Sequence, residues 1–376
     1  MYSQNCKTRS FMNLFFCGDI MPGGVLPYQS EYITPELKAY MDGFDFRIGT
    51  LEAAIGTNLP YDPVKMQGRQ NIVYARNEDF FRVKEMGFDV VSLANNHIWD
   101  LGEDGLRNTI KLLKENNIRY CGAGMDIEEA SRPVVIEKEG VSVAILAYCM
   151  YGNKYLGYVE LAGKNKAGIN PLDIDKVVSD IRQAKQKFDR VVVLPHWGRE
   201  YKYNPLPECI TMAKTMIKAG ADAVLGSHPH QIQPLIGYKG KPVCFSMGNF
   251  LFPDFYMYPP RPIWYPESIA EVKGVKDVVG YPFPIEEPVR QVWNPVSRYG
   301  LVINLTLGGQ KVSATSRFVH SSSDNVESLA QLDCKIQEEL RKASMMITNI
   351  PYRFLVYAKR KVHSLASKVC QKLKEK

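Results

Sequence analysis

The chain has 376 residues, 45% of them apolar and 23% charged, with a formal net charge of +7. That length and apolar content support a sizeable buried core, as one large domain with appendages or two domains, and exclude a disordered chain. The charge is uneven: 341–376 holds ten Lys or Arg against one acid, Glu375, so the other 340 residues sum to −2, and such a body argues against nucleic-acid binding.

The first apolar cluster, FMNLFFCGDIM, is interrupted by Asp19 and lacks a small-residue cleavage site, so it reads as a strand and not as a leader. No stretch reaches the roughly 18 apolar residues of a membrane span. From 11 to about 247, short aliphatic runs alternate with amphipathic stretches, the pattern of a sheet with helices on its faces. The predicted strands are MNLFFCG, FRIGTLE, FDVVSLA, VSVAILAYC, RVVVLP and DAVLGS, and the predicted helices span 77–86, 103–116, 173–187 and 206–219. The last helix is introduced by NPLP, with proline placed for a first turn. Segment 252–297 is dense in Pro, Tyr and Trp and reads as a long ordered or semi-ordered insertion. RYGLVINLTLGGQKVSATSRFV then gives two β-rich runs around Gly308 and Gly309, a hairpin signal. Helical patterns close the chain from about 326, with lysines between apolar residues. The eight cysteines are scattered, none in a C-x-x-C pair, and Cys17 and Cys244 lie in apolar runs, which favours a reducing compartment.

Chemistry collects where the strands stop. MNLFFCG ends at Asp19, FRIGTLE at Glu52, FDVVSLA at Asn95, Asn96 and His97, RVVVLP at His196, and DAVLGS at His228 and His230. Carboxyl ends of parallel strands line one edge, where α/β sheets bind ligands, so these distant residues are expected to converge. Each has a bland reading alone, as a turn residue, a cap or a core histidine. Their recurrence at every one of these ends favours a metal site. Two carboxylates, an amide and four of the six histidines suit Zn²⁺, Mn²⁺ or Fe²⁺ better than Ca²⁺ or Mg²⁺. An ion there would lower the pKa of bound water towards about 7. His97 would act as general acid or charge stabiliser. Asp100 either orients the His97 ring or caps the helix that follows. Arg199 and Glu200 would bind an anionic substrate or pair on the surface, and Trp197 and Trp99 would form an aromatic wall or pack.

The motifs GDIMPGG, GTLEAAIG, LANNHIWDLGEDGL, HWGREY, GSHPHQIQP and FSMGNFLF, between 14 and 252, resemble those of the CapA family of capsule and poly-γ-glutamate biosynthesis proteins, whose domain is similar to the calcineurin-like metallophosphoesterases. The resemblance implies an α/β fold, a four-layer αββα sandwich over 11–322 carrying the insertion 252–297, with a basic helical extension over 323–376. It implies one or two divalent ions: Asp19 and His230 on a first, Asn96, His196 and His228 on a second, Glu52 bridging, and His97 beside the substrate. Asn95, Trp197, Arg199 and Glu200, read from their positions beside these ligands, are the expected substrate contacts. Two departures stand out. Met21 occupies the place of a histidine usual in the phosphoesterases, leaving the first ion one ligand short, and GTLE replaces the commoner NLE.

The leading expectation is a metal-dependent hydrolase or transferase acting on an anionic polymer, through a phosphoester or an amide. The alternatives are a non-catalytic accessory subunit of a polymer-synthesis complex, and a phosphoesterase acting on small phosphate esters. The absence of a P-loop pattern disfavours an ATP-dependent ligase. The expected location is cytoplasmic, or peripheral at the inner membrane face through the basic C-terminal segment.

Overall fold

A computed structural model describes residues 11–68, 70–152, 154, 156–280, 285–308 and 311–349. The basic tail read at 351–376 lies outside the described residues. All six predicted strands form, at Phe11–Ile20, Phe46–Leu51, Val90–Ser92, Val141–Cys149, Arg190–His196 and Ala223–Leu225. They do not share one sheet.

The first sheet runs Glu327–Ala330, Lys311–Ser321, Tyr299–Gly308, Phe11–Ile20, Phe46–Leu51, Val90–Ser92 and Arg119–Cys121, with Asn249–Leu251 also paired to Phe11–Ile20. Its strands from Phe11–Ile20 to Arg119–Cys121 are parallel, and the predicted hairpin supplies antiparallel neighbours. The second sheet runs Leu235–Tyr238, Lys241–Cys244, Ala223–Leu225, Arg190–His196, Val141–Cys149 and Val134–Lys138, parallel at its centre and antiparallel at both edges. One continuous hydrophobic core joins the sheets, including Phe15, Phe16, Ile48 and Val91 of the first and Ile145, Val192 and Val224 of the second.

Helices cover the outer faces for local reasons. Ile174–Lys187 is capped by Asp173, whose carboxylate accepts from the Asp175 and Lys176 amides, and it buries Val177, Ile181 and Ala184 at three- and four-residue spacing. Pro207–Ala219 starts on its proline and ends at Gly220 with φ 122°, burying Cys209, Ala213, Met216 and Ile217. Gly102–Glu115 buries Leu106, Ile110 and Leu113. The resulting α/β architecture is a four-layer αββα sandwich.

Two readings change. The closing helix spans Cys334–Thr348 and not 326 onward, because Glu327–Ala330 is an edge strand of the first sheet. The described part of 252–297 builds its own four-stranded sheet, ordered Ile263–Trp264, Phe255–Met257, Val289–Val292 and Lys276–Val279. Its apolar face joins Met21, Ala53 and Val73 in a second core containing Phe252, Phe255 and Trp293, and this core backs onto the strand ends that carry the polar residues.

Candidate metal centre

Asp19 lies near the end of the strand Phe11–Ile20, just after Gly18, where the backbone of 247–248 crowds the strand so tightly that a Cβ on Gly18 would lie 1.8 Å from the Gly248 carbonyl oxygen. Glu52 ends the neighbouring parallel strand, and its amide donates to the Ile20 carbonyl at 2.8 Å. Across the sandwich, His196 closes a strand of the second sheet and bridges to Ser227, which leads into His228 and His230. Those two histidines have φ of 95° and 49° on either side of Pro229. Left-handed backbone at two bulky residues is costly, and such strain persists where surrounding structure holds it, typically at functional sites.

The convergence expected from strand ends is therefore real, although the residues come from two facing sheets and not from one edge. Glu52, His196 and His228 offer one ligand atom each within 4.8 Å of one another, and so do Asp19, Glu52 and His230. Glu52 belongs to both groups. All five residues are at most 1% exposed.

Hydrogen bonds orient the rings. His196 Nδ1 lies 2.9 Å from Ser227 Oγ, and its Nε2 lies 2.7 Å from Asn96 Oδ1. His230 Nδ1 lies 2.9 Å from Asn249 Oδ1, leaving Nε2 turned towards Glu52 Oε1 at 3.7 Å. His196 Nε2 approaches the same oxygen at 3.4 Å. Asp19 Oδ2 accepts the His228 amide at 3.2 Å. Asp19 Oδ1, both Glu52 oxygens and His230 Nε2 are buried with no hydrogen-bond partner. Orphaned buried polar atoms cost about 1–3 kcal/mol each, more when charged, and four so close together suit a cation.

The protonation energetics agree. Burial lifts Asp19 to about 7. Burial, followed by the charges of Asp19 and Glu200, raises Glu52 well above its ordinary value. Burial, followed by the other histidines, holds His196 well below its usual value, and burial takes His230 down to about 3. Neutral imidazoles beside carboxylates that gain by losing their protons to a cation form a mixed N/O donor set suited to a borderline divalent ion. The residues present fit a metal.

His97 lies beside this group with Nδ1 at 2.7 Å from Asp100 Oδ2. Asp100 thus orients His97 and does not cap the helix, whose N-cap is Leu101 with no side-chain bond. Asp100 Oδ2 also accepts the Val73 amide at 2.6 Å, and Oδ1 pairs with the ammonium of Lys65, which also reaches the Asn96 carbonyl. Asn95 is corrected from substrate contact to turn holder: its Nδ2 donates to the Leu51 carbonyl, and its Oδ1 accepts the His97 and Ile98 amides. Trp197 is corrected likewise. It is fully buried, donates to the Phe245 carbonyl at 2.9 Å and stacks on Phe245. Trp99 donates to Asp62 Oδ2 at 3.0 Å.

Glu200 stays near the crevice, lifted by burial to about 7, whereas Arg199 is exposed and lines a neighbouring cleft. Met21 is fully buried in the second core, its sulfur 3.2 Å from the Gly23 amide. Lys65, Ser227, Asn249 and Trp293 were not singled out from sequence. Ser227 and Asn249 stand inside the GSHPH and MGNF motifs, whose polar residues beside glycine were the available signal. Trp293 packs its ring 4.9 Å from His230 and 5.1 Å from Phe252, and nothing in the Pro/Tyr-rich insertion marked it.

Comparison with known proteins identifies the family. The family model described as bacterial capsule synthesis protein PGA_cap matches residues 13–254. The chain is 32% identical over 258 residues to the capsule biosynthesis protein CapA of Bacillus anthracis, covering 64% of this chain and 60% of that protein. It is 32% identical over 262 residues to the PGA biosynthesis protein CapA of Bacillus subtilis, covering 67% and 64%. The matched stretch is therefore under two-thirds of those relatives' own length. Among solved structures, a 5′-nucleotidase candidate of Staphylococcus aureus in complex with α-ketoglutarate superposes with a TM-score of 0.46 at 12% identity, covering 89% of this chain and 58% of that one.

Proposed function

The chain belongs to the bacterial capsule synthesis protein family PGA_cap, and from that premise we propose that it is a metal-dependent hydrolase or transferase acting on an anionic capsule-type polymer or its ester or amide precursors. One observation carries the reading: two groups of three buried ligands that share Glu52, with orphaned donor atoms aimed between them. Asp19, Glu52 and His230 would hold one divalent ion, and Glu52, His196 and His228, with Asn96 beside His196, a second. Mn²⁺, Zn²⁺ or Fe²⁺ suits the set. Such an ion supplies Lewis acidity and brings water within reach of ionisation near neutral pH.

The chain's own residues do the rest. Asp100 fixes the His97 ring through Nδ1, and burial keeps the His97 pKa below its ordinary value. His97 therefore enters neutral, its Nε2 able to take a proton from the attacking group and return it to the leaving group. Glu200 near the crevice is charged only above about pH 7. Trp293 and Phe252 pack on His230 and shield it from water.

Met21, apolar and buried where a ligand histidine was expected, favours a second reading: an accessory subunit of a polymer-synthesis complex whose metal holds the fold without turning over substrate. Elemental analysis of wild-type protein, His196→Ala and Asp19→Ala, with turnover of an aryl phosphodiester and phosphomonoester on the same samples, separates the two. Bound metal lost with His196, together with metal-dependent turnover, is the expected result. Metal-free, folded protein that stays inert after Mn²⁺ or Zn²⁺ is added sinks the enzyme.

A further inference from the structure

One hydroxyl stands between the two groups of candidate ligands. Ser227 is 3% exposed, and its Oγ lies 2.9 Å from Nδ1 of His196 in the second sheet while accepting from Oγ1 of Thr50 in the first at 3.3 Å. Its third neighbour is Asp19. The Asp19 Oδ1 lies 3.9 Å from the same His196 Nδ1, and Ser227 is near enough to that carboxylate to hold it down against the rise from burial. A hydroxyl has one hydrogen to give and two lone pairs with which to accept. Thr50 takes one lone pair, so the hydrogen and the other lone pair are divided between His196 and Asp19.

The tautomer of His196 decides the division. With the ring proton on Nε2, His196 donates to Asn96 Oδ1 at 2.7 Å, Nδ1 becomes an acceptor, and the Ser227 hydrogen points at it. Asp19 Oδ1, buried with no hydrogen-bond partner among the described residues, then receives nothing from Ser227. If His196 gives Nε2 to a cation, its proton must sit on Nδ1 instead, where it donates to Ser227 Oγ and releases the hydroxyl hydrogen towards Asp19. The ring proton exchanges with solvent from one nitrogen to the other, and none is gained or lost overall. We propose that Ser227 is a positioning residue that couples the two ion sites, turning its hydroxyl onto Asp19 whenever His196 holds a cation, so that occupation of the Glu52, His196 and His228 group strengthens the Asp19, Glu52 and His230 group. The coupling is reciprocal, as any such linkage must be. The inference deepens the functional reading above and rests on it for the ions, not for turnover.

The test titrates the full chain, stripped of metal, with Zn²⁺ at one fixed pH, and counts ion-free, one-ion and two-ion protein by native mass spectrometry. The coupling factor is the product of both zinc binding constants in the intact protein, divided by the product of the single constants in His228→Ala and His230→Ala, each of which keeps one group. Ser227→Ala removes the hydroxyl without adding bulk, and when it is placed in all three backgrounds the factor should fall about tenfold. Thr50→Val removes the other bond to Ser227 but lets the hydrogen turn, and should keep the wild-type factor. An unchanged factor in Ser227→Ala overturns the coupling, and an equal loss in Thr50→Val does so too, because it marks a packing effect. Nitrogen NMR of histidine-labelled wild type reads the switch without Ser227→Ala, the spectrum of His196→Ala identifying the ring. His196 should carry its proton on Nε2 without Zn²⁺ and on Nδ1 with it, and one tautomer in both conditions overturns the switch. Protein that takes up no zinc sinks the coupling and the metal centre together. Zinc bound with the expected factor, but with no turnover of an aryl phosphate ester, sinks the enzyme and leaves the coupling standing.

Discussion

Lys65 is only 2% exposed, with its ammonium between the Asn96 carbonyl and Asp100. Removing one partner of a buried pair strands the other charge, so Lys65→Met should cost about 3–5 kcal/mol in chemical denaturation. Lys65→Met/Asp100→Asn should lose less than the two single changes summed, because the double variant buries no unpaired charge. Additive losses would show that the pair is not coupled. Asp100→Asn alone should keep its metal and lower turnover roughly a hundredfold, since an amide cannot accept on both sides as the carboxylate does and no longer fixes the His97 tautomer. Glu200 gives a pH signature. An acid raised by folding is penalised in its charged form, so its contribution is neutral below the unfolded value near 4.3 and becomes destabilising as pH climbs towards about 7. Metal-free Glu200→Gln should therefore match wild type in melting temperature at pH 4 and exceed it at pH 8. A constant difference across that range would refute the assignment. The His97 and Asp100 spacing was readable, though it fitted a cap equally well. Lys65 was not, because a lysine in a five-residue helix has no period, although Asp62 and Pro63 do mark that helix's start.

At the scale of elements, two motif glycines have a common cause. A Cβ on Gly226 would lie 2.3 Å from the Phe245 carbonyl oxygen and 2.6 Å from Trp197 Nε1, as one on Gly18 would meet Gly248. In both places a strand delivering a ligand passes against the backbone of 244–249, which leaves no room for a side chain. Gly226→Ala should therefore displace Trp197, breaking its bond to Phe245, and lower metal content together with stability. Unchanged tryptophan fluorescence and full metal content would show that the contact relaxes at no cost. Long aliphatic runs made the six strands legible. Their division between two sheets was not, because a parallel strand buried on both faces carries no mark of which layer it joins. Asn249–Leu251 and the strands of the insertion are two to four residues long, too short for alternation to register.

At the scale of the molecule, the candidate ligands divide between the layers: Asp19 lies near the end of a first-sheet strand and Glu52 and Asn96 follow others, while His196 ends a strand of the second sheet and His228 follows another. A cation bound by both ties the halves of the sandwich, and its removal leaves Asp19 and Glu52 buried together. Their raised values make the ion-free fold lose stability as pH rises from about 4 through 7. The lowered values of His196 and His230 act oppositely, since stability falls as pH drops below about 6.5, where the unfolded histidines take up protons. Ion-free protein should therefore be most stable between these limits. Bound metal removes the carboxylate penalty and favours neutral imidazoles, so the loaded protein should keep its stability to pH 8. Ligand linkage adds about 2.7 kcal/mol at a free concentration 100 times the dissociation constant. Chelation should thus lower the melting temperature more at pH 8 than at pH 5.5, and Glu52→Gln, which weakens both groups of ligands, should shrink that difference. A melting temperature indifferent to chelator at pH 8 would mean that no ion joins the two sheets.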